Sequence, residues 1–419
     1  MNQMNRPGYS TLGFRAFLAT SFLGAFNDNF FKLIVTCFAL GKLDKAAQNT
    51  YIPLTGAMFV LPYLVCSGYA GFVSDRFAKR KVIVWSKWLE LAVMLFGLSL
   101  FACDAVYALL FALFLMGAQS ALYSPAKYGF LPETLAEEEL SKGNGMTQLC
   151  TFLAIIAGSW AGGVISRFHS SHWTLGALYC VVASALGVAT AHFTSRTPSG
   201  RENARFSINP LGGHLETLRI VRRNPLLFLM MLGNSFFWFI AALFQNNLSL
   251  YVKQEMGAGE QTLGVLLGAV GLGIGLGCMA CGLLSFKRIE YGLILPGGVL
   301  TALASILMLT GVHSLFLAVL FTALLGFFAG IYQLPLATAV QRFSPSGHRG
   351  SCLALGNAMD CIGMLLAYVM QWVLLNTFGL KPSGVFVALG VLTLAVMVLM
   401  AFKEPTFARR SRFLLTRSR

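Results

Sequence analysis

Gly24-Ala25-Phe26-Asn27-Asp28-Asn29-Phe30-Phe31-Lys32 lies in the middle of an apolar run that extends from Phe14 to Leu40. The reading of this stretch decides the fold. Asp28 and Lys32 stand four residues apart, so on a helix they share one face. If the run crosses a membrane, each charge near its centre costs about 2.5–3.5 kcal/mol. Either the run does not span, or the pair faces a polar interior and has a reason to be there.

Composition answers the first question. The chain has 419 residues, 56% hydrophobic and 11% charged, against about 25% charged in soluble domains. So few charges do not cover a water-exposed surface, and apolar runs of the length needed to cross a bilayer recur along the whole chain. Backbone polar groups in lipid must be bonded within the chain, which selects helices. The runs are continuous rather than alternating, which excludes a β-barrel. The expectation is an all-α polytopic membrane protein with both termini in the cytoplasm and no cleavable signal peptide.

Twelve spans are read at 14–40, 52–74, 82–102, 104–126, 143–168, 173–193, 225–251, 260–285, 290–311, 314–337, 350–376 and 382–402. With the termini inside, 25 of the 31 Lys and Arg fall on the cytoplasmic side. The exceptions are Lys42, Lys45, Arg167, Lys253 and Lys381 outside, and Lys32 within its span. That asymmetry is a positive-inside pattern. It assigns the net charge of +15 to topology and to anionic membrane lipid, not to nucleic acid.

The expected organisation is a six-helix half over 1–193, a basic cytoplasmic linker over 194–224, a second six-helix half over 225–402 and a basic tail over 403–419. In the linker, Leu211, Leu215, Leu218 and Val221 recur at helical spacing beside six arginines, which suggests an interfacial helix. The basic tail, interleaved with Phe407, Phe413, Leu414 and Leu415, suits anionic headgroups. A parallel repeat joins the halves. Gly143-Asn144-Gly145-Met146 opens span five as Gly356-Asn357-Ala358-Met359 opens span eleven, and Tyr123-Ser124-Pro125 closes span four as Tyr332-Gln333-Leu334-Pro335 closes span ten.

Gly71-Phe72-Val73-Ser74-Asp75-Arg76-Phe77-Ala78-Lys79-Arg80-Lys81, between spans two and three, resembles the signature loop of the major facilitator superfamily. It departs at Ala78, where that loop usually has Gly. The second-half counterpart keeps Lys287 and Arg288 but has Phe286 in place of the acid. The physical logic is a cytoplasmic gate: Gly71 admits close helix approach, and Asp75 pairs with a base. Arg76, Arg80 and Lys81 belong to this gate, as do Glu90 facing Lys87, and Lys127 and Glu133 flanking the exit of span four.

A narrower resemblance follows. Ala121-Leu122-Tyr123-Ser124-Pro125-Ala126-Lys127-Tyr128-Gly129-Phe130-Leu131-Pro132-Glu133 is similar to the span-four exit of bacterial lysophospholipid transporters of the LplT type, as is Gly143-Asn144-Gly145 with Gly158-Ser159-Trp160-Ala161-Gly162-Gly163. Phe26-Asn27-Asp28-Asn29 also matches this family and the transporter portion of its fusions to an acyltransferase. The resemblance implies the major facilitator fold, two six-helix halves working by alternating access. It implies transport of lysophospholipids, such as lysophosphatidylethanolamine or lysophosphatidylglycerol, from the outer to the inner leaflet of a bacterial inner membrane. A separate acyltransferase then restores the second chain.

Polar residues inside the spans are compatible with such a cargo. Asn27, Asp28, Asn29, Lys32, Gln119, Gln148, Asn234, Gln245, Gln333, Asn357 and Asp360 come from spans one, four, five, seven, ten and eleven, which line the cavity in the superfamily the loop resembles. Asp28 and Lys32 have two readings, a structural pair or a headgroup and gating site. Asp360 is the only acid in the interior of the second-half spans, Glu260 and Glu290 standing at the first positions of theirs.

The glycines crowding span eight, from Gly264 to Gly277, read as close helix packing rather than a nucleotide loop. Cys278 and Cys281 read as packing residues, and His169 with His172 lack the carboxylates of a metal site. No metal, cofactor or enzyme activity is expected, and the chain is expected to act as a monomer. The alternative is a proton-coupled exporter or importer of drugs or siderophores on the same fold. A membrane-embedded lipid enzyme finds no Ser/His/Asp or His/Asp grouping in its support.

Overall fold

The structure is a computed structural model that describes residues 8, 10–168, 173–198, 210–285 and 289–417. His169 and His172, the linker's Arg201 and Arg205, and Phe286-Lys287-Arg288 lie outside the described residues. Among those described there is no strand.

The chain runs as α1 (Leu12–Lys42), α2 (Lys45–Val65), α3 (Ser67–Arg76), α4 (Lys79–Ala102), α5 (Ala108–Thr134), α6 (Leu140–Phe168) and α7 (Trp173–His192). A linker helix, α8 (Pro210–Arg222), leads to α9 (Pro225–Leu250), α10 (Glu260–Leu284), α11 (Ile294–Leu307), α12 (Leu315–Phe343), α13 (Arg349–Trp372), α14 (Pro382–Lys403) and α15 (Pro405–Arg417). Among the described residues eleven helices are long and apolar enough to cross a membrane, and the number is twelve if the bent pair α2 and α3 counts as one span.

Helix starts follow capping chemistry. Asp44 accepts from the Ala47 amide at 2.9 Å, and Asn224 accepts from Leu227 at 3.2 Å with Pro225 next to it. The second span, expected to be continuous, breaks at Cys66 with a 52° bend. Ser67, the first residue after the break, is buried and lies 2.8 Å from His214 Nε2 of α8. Burial of that imidazole holds its pKa below the ordinary histidine value. The linker helix expected from the apolar spacing is therefore tied to the bend.

Two helices run further than expected. α5 continues past 126 to Thr134 through Pro125 and Pro132, and α12 continues past 337 to Phe343 through Pro335. Each proline removes one helical hydrogen bond, but all three are buried, and packing against neighbours carries the helix through.

Close packing divides the chain into two compact units. The first holds Met1–Ala136, Leu153–Ile220 and Ser344–Ala358; the second holds Glu137–Phe152, Val221–Phe343 and Met359–Arg419. The first turns of α6 and α13 thus each belong to the unit built mainly from the other six-helix set. The first unit's core gathers Phe30, Phe31, Ile34, Phe38, Met94 and Leu113. The second gathers Leu243, Phe244, Met308, Leu325, Phe386 and Leu389. Large apolar side chains such as Leu89, Leu95, Phe96, Leu366 and Val369 stay exposed, as lipid-facing surface requires.

The repeat has a structural counterpart in each unit. Tyr123 of α5 lies 2.9 Å from Ser21 Oγ on α1, and Tyr332 of α12 donates to the Gly233 carbonyl on α9 at 2.9 Å. The glycines of span eight divide by role. Gly273 and Gly277 of α10 face Gly326 and Gly330 of α12, and a Cβ on any of the four would overlap backbone of the opposite helix. Gly264 and Gly268 face open space. Gly277→Leu should therefore separate α10 from α12 and lower the melting temperature of the solubilised protein, whereas Gly268→Leu should leave it unchanged. Thermal unfolding followed by tryptophan fluorescence checks both.

Candidate functional site

Within the first unit the decisive group is an ion pair on α4. Lys87 Nζ donates to Glu90 Oε2 at 2.6 Å, and both side chains are 1% exposed. Two charges one turn apart in an apolar core need further partners. Asn27 of α1 supplies one, donating from Nδ2 to Glu90 Oε1 at 3.0 Å and to Ser184 Oγ of α7 at 3.0 Å. Lys87 Nζ also lies 5.1 Å from the centre of the Tyr123 ring. Glu90, expected at the gate, thus sits with Asn27 in the core joining α1, α4 and α7.

Asp28 points elsewhere. Its Oδ2 accepts from Ser120 Oγ of α5 at 2.8 Å, and its Oδ1 is buried with no hydrogen-bond partner. The four ion pairs among the described residues do not include Asp28 with Lys32. Lys32 instead holds its ammonium 5.8 Å from the centre of the Phe59 ring. Sharing a helix face did not bring the two charges into contact, because each has a neighbour on another helix. Gln119 is buried and accepts from Ser120 Oγ at 3.1 Å. Asn29 donates to the Ala25 carbonyl of its own helix at 2.8 Å. Asn357 donates to Ser124 Oγ of α5 at 2.9 Å.

The second unit carries a chain of amides. Asn234 Nδ2 of α9 contacts both oxygens of Asp360 on α13, at 3.2 and 3.1 Å. Gln333 of α12 donates to Asn234 Oδ1 at 3.3 Å, and Gln148 of α6 donates to Gln333 Oε1 at 3.4 Å. Four of the expected site residues are thereby brought into one network. Gln245 is not among them; it is exposed, while the adjacent Asn246 donates to Gln371 at 2.5 Å.

The cluster around α3 gives Asp75 a partner other than the expected base. Its Oδ1 accepts from the Gly350 amide at 2.6 Å, and its Oδ2 accepts from the Ser351 amide at 2.9 Å and the Ser351 hydroxyl at 2.6 Å. The carboxylate caps the N-terminus of α13, where free amides and the helix dipole favour an anion. Gly71 and Gly350 make this possible, since a Cβ at Gly71 would stand 2.9 Å from Ser351 Cα and one at Gly350 2.8 Å from Asp75 Oδ1. Lys79 lies 3.6 Å from Glu133 and also donates to the Ser74 carbonyl. Lys127 is buried on α5 with Nζ 5.3 Å from the Tyr128 ring, inside the helix rather than beyond its end. Arg76 is half-buried. Arg80 and Lys81 turn away from Asp75: Arg80 Nη2 donates to the His192 carbonyl at 2.6 Å, and Lys81 lies 5.9 Å from the Trp85 ring.

Several residues of these networks are not on the sequence-based site list. Ser120 and Ser184 have no pattern that marks them. Asn144 exchanges hydrogen bonds of 2.9 and 2.8 Å with Gln341; its place in the repeat was the available signal. Among the described residues no three His, Cys, Asp or Glu side chains converge as a metal site requires.

A family model described as Major Facilitator Superfamily matches residues 16–368. A lysophospholipid transporter LplT of Yersinia enterocolitica is 30% identical over 362 residues, covering 84% of this chain and 85% of that protein. The counterpart from Yersinia pestis is 29% identical over 359 residues, covering 84% of each. Solved structures share the fold: the E. coli fucose:proton symporter FucP superposes with a TM-score of 0.74 at 13% identity, over 93% of this chain and 98% of that one. The human organic anion transporter MFSD10 superposes with a TM-score of 0.72 at 17% identity, over 92% and 99%. Fold and matches together define a multi-pass membrane transporter. The chain belongs to the Major Facilitator Superfamily and, within it, to the lysophospholipid transporter family that the Yersinia proteins represent.

The ion pair and the helix cap have separate stability signatures. Lys87→Met leaves Glu90 charged and buried, and should destabilise the solubilised protein by about 3–5 kcal/mol. Lys87→Met with Glu90→Gln removes both charges, keeps an acceptor for Asn27, and should recover most of that loss in the same thermal unfolding assay. At Asp75, Asn retains one acceptor oxygen and should cost about 1 kcal/mol; Ala should cost about 2 kcal/mol or more.

Proposed function

We propose that this protein carries lysophospholipids from the outer to the inner leaflet of a bacterial inner membrane, with both termini cytoplasmic. The six-helix sets expose the α1 cluster alternately to the two leaflets. The delivered lipid is re-acylated by a separate enzyme, and the carrier acts as a monomer.

The observation that carries this reading is the unmatched state of Asp28 and Lys32. Among the described residues, Asp28 presents a buried oxygen with no partner, and Lys32, one turn further along α1, has no carboxylate within ion-pair distance. A zwitterionic headgroup brings an ammonium for the first and a phosphate for the second. The named activity of the Yersinia relatives supports the same substrate class. In this reading Asp360, Asn234, Gln333 and Gln148 are substrate-binding residues of the second unit in their own right, and Asp75 holds the gate.

The test is uptake of labelled lysophosphatidylethanolamine into proteoliposomes and spheroplasts. Asp28→Asn should lower the initial rate about tenfold or more, the loss expected when a charged hydrogen bond to substrate becomes neutral. Lys32→Gln should raise the apparent KM. Full uptake by a folded Asp28→Asn protein would overturn the role given to Asp28. Efflux of lysolipid, or uptake equally fast without protein, would overturn the function.

A further inference from the structure

A second feature of the first unit lies apart from the α1 cluster. At the start of α4 and the end of α7, Arg80, Lys81, Trp85, His192, Arg196 and Thr197 line an open cleft of about 360 Å³. No lining residue is acidic. Arg80 is held at the base of the cleft. Its backbone amide donates to Thr197 Oγ1 at 3.0 Å, and its Nη2 donates to the His192 carbonyl at 2.6 Å. Its Nε is buried without a hydrogen-bond partner. Lys81 and Arg196 stand exposed on the rim.

The surroundings give the depth of the cleft. Trp85 and Trp88 are 44% and 52% exposed just inside the start of α4. Trp85 packs edge-on against Phe77 at 5.0 Å, and Trp88 edge-on against His192 at 6.4 Å. Exposed indoles near the end of a spanning helix mark the headgroup level. Further along α4 the exposed surface turns apolar at Leu89, Leu95 and Phe96, and Ser99 beyond them bonds its hydroxyl to the Phe96 carbonyl. A cationic cleft at headgroup depth, continued by an apolar strip toward the bilayer centre, matches a molecule with a phosphate at one end and acyl chains at the other.

We propose that this cleft holds the phosphate of an anionic diacyl phospholipid of the surrounding leaflet, as a resident lipid distinct from the transported one. Arg80 and Arg196 bind the phosphate oxygens, Lys81 adds charge, and the indoles flank the glycerol. This gives Arg80 and Lys81 a task other than the gate that the loop motif suggests. Only the choice of leaflet rests on the orientation proposed above. Binding to solubilised protein does not depend on it, so the two readings fail separately.

Native mass spectrometry of the full-length protein in detergent tests the proposal. The probes are palmitoyl-oleoyl phosphatidylglycerol, diacylglycerol with the same chains, and inorganic phosphate as competitor. One phosphatidylglycerol should be retained per protein and diacylglycerol should not. Arg196→Gln should weaken retention about tenfold, Arg80→Gln with Arg196→Gln should weaken it further, and Lys253→Gln should not change it. Unchanged retention in Arg196→Gln overturns the proposal, and so does equal retention of diacylglycerol. Displacement by an equimolar amount of inorganic phosphate overturns it as well, by making the cleft a free-anion site. Should the double variant fail to fold, the exposed Arg196 decides alone.

Discussion

Lys87 and Glu90 place two opposite charges in full burial, and the first unit is arranged around that requirement. A buried pair is tolerable only when its remaining hydrogen-bond capacity is met. Asn27 on α1 and Ser184 on α7 extend the network and tie three helices to one another, although Asn27 Oδ1 is left without a hydrogen-bond partner. Gly24 is part of the same constraint, since a side chain there would occupy the place of the Lys87 ammonium. The rotation of α1 that brings Asn27 to Glu90 then turns Asp28 toward α5 and Ser120. The charge left unmatched on α1 is a consequence of the charges matched on α4.

The two units solve similar geometry with different chemistry. Each has a tyrosine reaching from its fourth span to its first, Tyr123 to Ser21 and Tyr332 to the Gly233 carbonyl. Around these anchors the first unit carries Lys87, Glu90, Asp28 and Lys32, while the second carries neutral amides and a single carboxylate at Asp360.

Most of the architecture was legible because membrane insertion acts on segments. Run length and apolar composition identify spans without any knowledge of their neighbours. Helix ends were less legible. Pro125, Pro132 and Pro335 argue for termination locally, and burial overrides them. The site was legible as a set of polar residues but not as a set of partners. Asp28 and Lys32 satisfy the spacing of an ion pair, yet helix rotation gives each a different neighbour. Gln245, Asn246 and Asn247 are consecutive in sequence; only Asn247 is buried, while Asn246 bonds Gln371 from an exposed position. Asp75 was identifiable from its loop, but two of its three partners are main-chain amides, to which no residue type points.

That last pairing has a genetic consequence. Two of the three groups that Asp75 binds are the N–H groups of Gly350 and Ser351, which every amino acid except proline supplies. A screen for loss of function would therefore find the carboxylate and, opposite it, Gly350, where any side chain meets the carboxylate. At position 351 it would find only the hydroxyl's share, because the main-chain bond there survives every substitution except proline.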